Sequence, residues 1–282
     1  MSIPISAVII SKNEEANIGR AVRRAQAFDE VIVIDSCSAD RTKSIAESNG
    51  ARVVEFEWNG MYPKKKQWAL ENSGARNEWV MLLDSDEYAS EELLIEISND
   101  LDKILFSRFR AYDLGLQYRF AGRFLRYGHA VTKRSLLNTR YCAFPEVGDL
   151  DAPGVTEVEG HYQPRVDGSV GRLNGKLVHD DVDPVASWFS RHNRYSDWEA
   201  YLAAHPKIRS AVRESRSRQG QIFDRVPFKP AVFFLYSYLF RRGFLDGRAG
   251  LDYSIALSTY YWQIGLKMRE NQKDSQLDCC SR

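Results

Sequence analysis

The run Trp79–Glu87, WVMLLDSDE, limits the possible folds of this chain more than any other stretch. Its apolar residues lead straight into Asp84, Asp86 and Glu87, with one serine between the aspartates. An unbroken apolar run of this length reads as a strand buried on both faces, as in a parallel sheet. The carboxyl end of such a strand opens into the crevice where open α/β sheets take ligands. Asp84 and Asp86 are one residue apart, so their carboxylates can converge on one small volume. Mg²⁺ or Mn²⁺, both oxygen-preferring, would relieve the resulting repulsion and could then hold a diphosphate. The plainer reading is a solvated acidic turn before a helix, since strands often end in Asp.

The preceding residues repeat the same unit. Ile3–Ile10 is a strand by composition, and Ser11–Glu15 a polar turn. Ile18, Ala21, Val22 and Ala25 then recur at helical spacing with Arg20, Arg23 and Arg24 turned outward. Glu30–Asp35 is a second strand, Ser36–Arg41 a loop with Asp40 as helix cap, and Gly50 the helix stop. Ala51–Phe56 is a third strand, and Lys64–Ser73 a helix headed by three lysines. Strand and helix in strict alternation predict a right-handed parallel sheet. Three strand ends would then share one crevice: Lys12–Glu15, Asp35 and Asp84–Asp86. Neither GxGxxG nor GxxxxGK[ST] occurs, which removes the dinucleotide fingerprint and the P-loop. Acids at strand ends suit the N–H and O–H groups of a base and ribose. Lys64, Lys65 and Lys66 at a helix start can meet a diphosphate, or form a solvated basic turn.

The totals exclude several classes. Over 282 residues the net charge is +1, which argues against a nucleic-acid partner. The four cysteines form no CxxC pair, so reduced thiols in a cytoplasmic protein are expected. Residues 1–10 show no basic n-region of a signal peptide, and no apolar run reaches the ~18–20 residues of a spanning helix.

SAVIISKNEEANI, VIVIDSCSADRT, KKKQWAL and WVMLLDSDE, in this order and spacing, resemble the family 2 glycosyltransferases, inverting enzymes of the GT-A fold. Within them the chain is similar to the branch of lipopolysaccharide-core and exopolysaccharide glucosyltransferases. The likeness is specific over residues 3–90 and looser over 110–200, through GRLNGKLVHDD and RHNRYSDWEA. One departure is Cys37, where the branch commonly has glycine. The resemblance implies a GT-A-like α/β open sheet, a UDP-linked hexose donor, a divalent metal (Mg²⁺ or Mn²⁺) and a saccharide acceptor on a lipid carrier or lipopolysaccharide core. Carried over by motif, Glu14 and Asp35 would contact the base and Asp84 would sit near uracil and ribose. Lys64 to Gln67 would lie beside the nucleotide, and Asp86 would ligate the metal. A late His of this fold often serves as a further ligand, which selects His179; a half-buried structural histidine is the alternative. A sugar-phosphate nucleotidyltransferase shares paired acids and a Lys-rich loop but has a Gly-rich N-terminal loop missing here. A non-catalytic sugar-nucleotide-binding protein is a further alternative, disfavoured by the intact acidic pair.

Ser90–Ile104 reads as one helix, and Phe106–Phe124 as strands in which a few aromatics and arginines could also touch the acceptor. An inverting transfer needs a carboxylate to take the acceptor proton. Glu146, Asp149, Asp151, Glu157 and Glu159 are candidates; VTEVEGHYQ is strand-like and would put Glu157 and Glu159 on one face. Glu159 is the first choice as base and Glu157 the second. Trp188–Ala204 is an amphipathic helix, and Pro206–Lys229 a basic linker. Two short apolar runs, 230–240 and 254–266, suit a helical hairpin in the headgroup region at the inner face of the cell membrane, or a helical pair packed on the core. The expected organisation is a catalytic domain over 1–185 (nucleotide half 1–90, acceptor half 91–185), a helical extension over 186–270 and a disordered tail over 271–282.

Overall fold

The computed structural model of the chain describes residues 2–128, 131–160, 162–214, 218–223 and 225–280. His161, Arg216, Asp224 and the last two residues of the expected tail lie outside them. The chain divides into two compact units. The first comprises residues 1–118, 131–145 and 157–181; the second comprises 119–130, 146–156 and 182–282. The expected boundary at 185 is therefore crossed twice earlier, because segments 119–130 and 146–156 group with the C-terminal helices.

The first unit opens with β1 (Ile3–Ser11), α1 (Ile18–Arg24), β2 (Phe28–Asp35), α2 (Thr42–Ser48), β3 (Arg52–Glu55), α3 (Lys65–Asn72) and β4 (Trp79–Asp84). A three-residue strand β5 (Glu87–Ala89) follows, then α4 (Glu91–Asn99) and α5 (Leu101–Phe106). Next in the chain come β6 (Phe109–Phe120) and β7 (Arg123–Phe124), the latter and the end of β6 belonging to the second unit, then β8 (Thr132–Asn138), β9 (Cys142–Ala143), β10 (Arg165–Val166) and β11 (Ser169–His179) of the first. Among the described residues the main sheet has the order β3-β2-β1-β4-β8-β6-β11-β5, with β7 paired on β6.

The first four strands are parallel, with β1 between β2 and β4. All residues of β1 but one are buried, as are the five apolar residues of β4. Strands covered on both faces need apolar side chains at every position, which is why the composition reads so clearly. Each fully buried Ile, Leu or Val contributes about 1.5–3 kcal/mol, and Ile5, Ile9, Ile32, Ile34, Leu82 and Leu83 are all fully buried.

Beyond β4 the sheet becomes mixed in strand direction. β8 runs antiparallel to both β4 and β6, while β11 is parallel to β6 and antiparallel to β5. The helix expected over 90–104 is broken at Asp100, and its start is capped by Ser90 Oγ, which accepts from Leu93 N at 3.2 Å. Gly175 lets β11 pass α4 closely, since a Cβ there would lie 2.3 Å from Leu93 Cα. Residues 155–160 are not a strand: the Glu157 carbonyl accepts from Lys65 N at 2.7 Å, which ties the segment to the start of α3.

The second unit is mainly helical: α6 (Val185–Ala204), α7 (Pro206–Glu214), α8 (Arg218–Phe223), α9 (Lys229–Phe234) and α10 (Gly247–Cys280). A π-helical turn, Leu235–Phe240, extends α9, and a 3₁₀ turn, Gly243–Asp246, leads into α10. The expected basic linker is thus helical over most of its length, and the helix of the C-terminal tail runs on to Cys280. Phe120 packs edge-on against Trp188 of α6 and Tyr253 of α10, so one face of the C-terminal pair is buried within this unit. No described helix is long and apolar enough to cross a membrane.

Candidate active site

The acids after β4 separate into two sets. Asp84 is gripped by two cations, Lys133 Nζ at 2.8 Å and Lys66 Nζ at 3.2 Å. Glu87 is buried, accepts from Asp84 N at 3.0 Å and pairs with the same Lys133. Burial works against charge on Asp84, but the lysines outweigh it and hold its carboxyl well below the usual carboxylate range. Burial likewise works against charge on Lys133, and Asp84 and Glu87 reverse that effect, raising its pKa.

Asp86 turns the other way. Its backbone carbonyl accepts from Asp180 N at 2.8 Å, tying the acidic turn to the end of β11. There His179 pairs across the sheet with Glu87 on one side and Tyr118 on the other. The His179 ring lies 4.7 Å from the Tyr118 ring, centroid to centroid, and its Nδ1 is 3.2 Å from Asp86 Oδ1. Asp180 is held by Arg20 of α1 at 3.1 Å. Asp86, His179 and Asp181 each offer a ligand atom, all within 4.8 Å of one another.

The His179 Nδ1 is buried and, although close to Asp86, has no aligned hydrogen bond. Two carboxylates and an imidazole nitrogen that lacks an aligned hydrogen bond fit Mn²⁺ or Mg²⁺, the nitrogen suiting Mn²⁺ better. Burial works against a charged imidazole, but Asp86 outweighs it and lifts the His179 pKa to about 9. Binding of a cation would therefore release a proton.

The lysines heading α3 do not form a solvated turn. Lys64 and Lys65 are both 1% exposed. Lys65 Nζ donates to the Ser11 carbonyl at the end of β1 and lies 3.4 Å from Glu157. Burial pushes its pKa down to about 8, against the pull of Glu157. Glu157 also pairs with Lys12 at 2.9 Å. Glu159 accepts from Lys66 N and Gln67 N, each at 2.8 Å, so both oxygens meet the positive end of α3. Burial raises the Glu159 pKa despite those two N–H groups. Glu157 and Glu159 do converge, as alternation predicted, but through a coil that brings both to one helix start.

The remaining expected residues are also engaged. Asp35 is buried, with Oδ2 accepting from Ser38 N at 2.9 Å and Oδ1 from Ser38 Oγ at 2.5 Å. Cys37, in the same loop, has φ of +50°, the left-handed region that favours glycine. Glu14 accepts from Asn17 Nδ2 at 2.9 Å. Gln67 donates to Glu71 and accepts from Phe144 N, both at 2.6 Å. Lys66 joins the two groups, through its backbone to Glu159 and through Nζ to Asp84. Of the other base candidates, Asp149 is buried in the second unit, where it accepts from Trp198 Nε1 at 2.9 Å.

Sequence reasoning missed Lys133 and the ligand role open to Asp181. Lys133 sits on a strand with no motif around it. The HDD run was visible, but nothing in it told Asp180 from Asp181.

Several known proteins are similar to this chain. An uncharacterized glycosyltransferase of Rickettsia typhi is 29% identical over 94% of this chain and 87% of its own length. The lipopolysaccharide core biosynthesis glycosyltransferase LpsC of Rhizobium meliloti is 26% identical over 97% of each. Among solved structures, glucosyl-3-phosphoglycerate synthase from Mycobacterium tuberculosis, in complex with Mn²⁺, UDP and phosphoglyceric acid, aligns at TM-score 0.41 and 16% identity over 73% of this chain and 78% of that one. A second structure of that enzyme, with glucosyl-3-phosphoglycerate, aligns at TM-score 0.31 and 26% identity over 41% of this chain and less than half, 44%, of that one. Residues 6–146 match the family model of glycosyl transferase family 2, and with the acidic strand end at its centre this chain belongs to that family.

Proposed function

We propose that the protein moves a hexose from a UDP-sugar to a saccharide acceptor, with inversion, in the assembly of a lipopolysaccharide core or an exopolysaccharide. One observation supports this most: Asp86, His179 and Asp181 converge at the strand ends where Asp84 and Lys66 also meet. The full-length likeness to LpsC favours a saccharide acceptor. Asp86, His179 and Asp181 would hold Mg²⁺ or Mn²⁺. Such a cation, when bound, neutralises charge on a leaving diphosphate. Asp84, kept anionic by its lysines, accepts from ribose or base, as do Asp35 and Glu14. Lys64 and Gln67 set the start of α3 beside the nucleotide. Burial shifts the Glu159 pKa in the direction that suits a general base, but both its oxygens already accept N–H groups of α3, which favours a capping role for it over that of base. The acceptor would be lipid-linked, and the enzyme would work at the inner face of the cell membrane.

Calorimetric titration with a panel of UDP-sugars, with and without Mn²⁺, tests the reading. Binding should need the metal and weaken at least tenfold in Asp86→Asn, whose fold should persist. Unchanged Mn²⁺ dependence in that variant would refute the metal assignment. Pyrophosphate release from a nucleoside triphosphate and a sugar phosphate would instead identify a nucleotidyltransferase.

A further inference from the structure

We propose that the tip of the C-terminal hairpin in the second unit is a wedge that inserts into the interface of an anionic bilayer. The proposal deepens, and in its biological sense rests on, the membrane-facing reading above. Large apolar side chains crowd this region without covering one another. Phe240 is 82% exposed, Leu245 52%, Leu239 51% and Phe244 46%. Along the two helices the exposed row continues through Leu235, Ile255 and Trp262. Soluble monomers rarely leave so many large apolar groups together in water.

The tip is built, not loose. The Asp246 carboxylate accepts from Tyr127 N at 2.8 Å and Arg126 N at 3.1 Å. Gly128 N donates to the Arg241 carbonyl at 2.9 Å, and the buried Ser237 hydroxyl donates to the Gly128 carbonyl at 3.2 Å. Gly250 lets α10 pass beneath the turn, since a Cβ there would lie 1.9 Å from the Gly243 carbonyl oxygen. Internal bonds therefore present the exposed side chains in one arrangement.

Charge selects the occupant. Arg241 and Arg242 are exposed directly after Phe240. Among the described residues the acids of the tip are engaged: Asp246 on backbone N–H groups and Asp252 on Arg248 at 3.0 Å. The surface is thus apolar and aromatic with Arg241 and Arg242 exposed at its rim, the pairing that suits anionic headgroups over an acyl boundary. A two-fold contact whose axis passed through the tip would set Arg241 and Arg242 against their equivalents, which repels. The cations assigned to the surface are those of the tip, since the stretch expected as a basic arm, 207–229, is taken up largely by α7 and α8.

Co-sedimentation of the full chain with vesicles of phosphatidylcholine, alone or mixed with phosphatidylglycerol, tests this. Binding should require phosphatidylglycerol, weaken in high salt and not vanish. Arg241→Ser with Arg242→Ser should weaken it about 30-fold at low salt, on the order of fivefold per arginine. Phe240→Glu should remove the salt-resistant part. All three positions are exposed, so the variants should keep the parent's melting temperature and its Mn²⁺-dependent UDP-sugar binding. Loss of vesicle binding with donor binding intact separates this inference from the proposed reaction. Indifference of the full chain to phosphatidylglycerol vesicles at low salt overturns it. So does equal binding by all variants, or a dimer that Phe240→Glu dissociates while vesicle binding is absent.

Discussion

Replacing Lys133 by methionine should turn a stabilised acidic cluster into a strained one. Lys133 is 16% exposed and serves Glu87, 3% exposed, and Asp84, 37% exposed. Methionine fills similar volume but leaves Glu87 buried without its cation. Removing one partner of a buried pair costs about 3–5 kcal/mol. Two features reduce that here: Asp84 is more than a third exposed, and Lys66 still stands 3.2 Å from it. A loss of about 2–3 kcal/mol in chemical denaturation is therefore expected. In the Lys133→Met background, Glu87→Gln should recover half or more, because the amide oxygen can still accept from Asp84 N while the stranded charge is gone. The acid limb follows by linkage. The native pKa of Asp84 lies below its unfolded value of about 3.9, so its stabilisation is complete above about pH 5 and lost as pH falls through the native value. Lys133→Met should flatten that limb. A loss under about 0.5 kcal/mol, or a Glu87→Gln change that deepens it, would refute the argument.

Lys65 has the opposite sign. Its native pKa of about 8 lies below that of a free lysine, so its buried charge opposes folding in full below pH 8 and is relieved as pH rises toward 10. Wild-type stability should gain up to about 1.4 kcal/mol per pH unit over that window relative to Lys65→Met; parallel profiles for the two proteins would contradict this. Glu159→Gln should lose about 1–2 kcal/mol through its weakened cap of α3 and keep measurable transfer. Abolished transfer with unchanged stability and donor affinity would instead give Glu159 the role of base.

How much of this was legible depends on what each feature needs. The strands β1, β2 and β4 followed from composition alone, because a strand covered on both faces is apolar at nearly every position. The placing of Asp84 and Asp86 at a strand end followed from the same run. The helix boundaries near Arg24 and Gly50 were readable because periodicity and a glycine stop are local. The break at Asp100 and the helices over 206–223 were not, since packing within each unit decided them. The alternation in VTEVEGHYQ was real, yet it made no strand. A strand needs a neighbour's free edge, and here the Glu157 carbonyl and the Glu159 carboxylate meet the N-terminus of α3 while the Glu157 carboxylate meets Lys12 and Lys65.

The division of labour among the acids belonged wholly to tertiary structure. Asp84, Asp86 and Glu87 look alike in the sequence. They differ because β8 enters antiparallel beside β4 and delivers Lys133 to Asp84 and Glu87, while β11 ends beside the acidic turn and delivers His179 to Asp86. Those partners lie 46 to 93 residues along the chain. Local sequence determines the period and burial of its own segment. Which charge meets which is set by the crossing of distant strands.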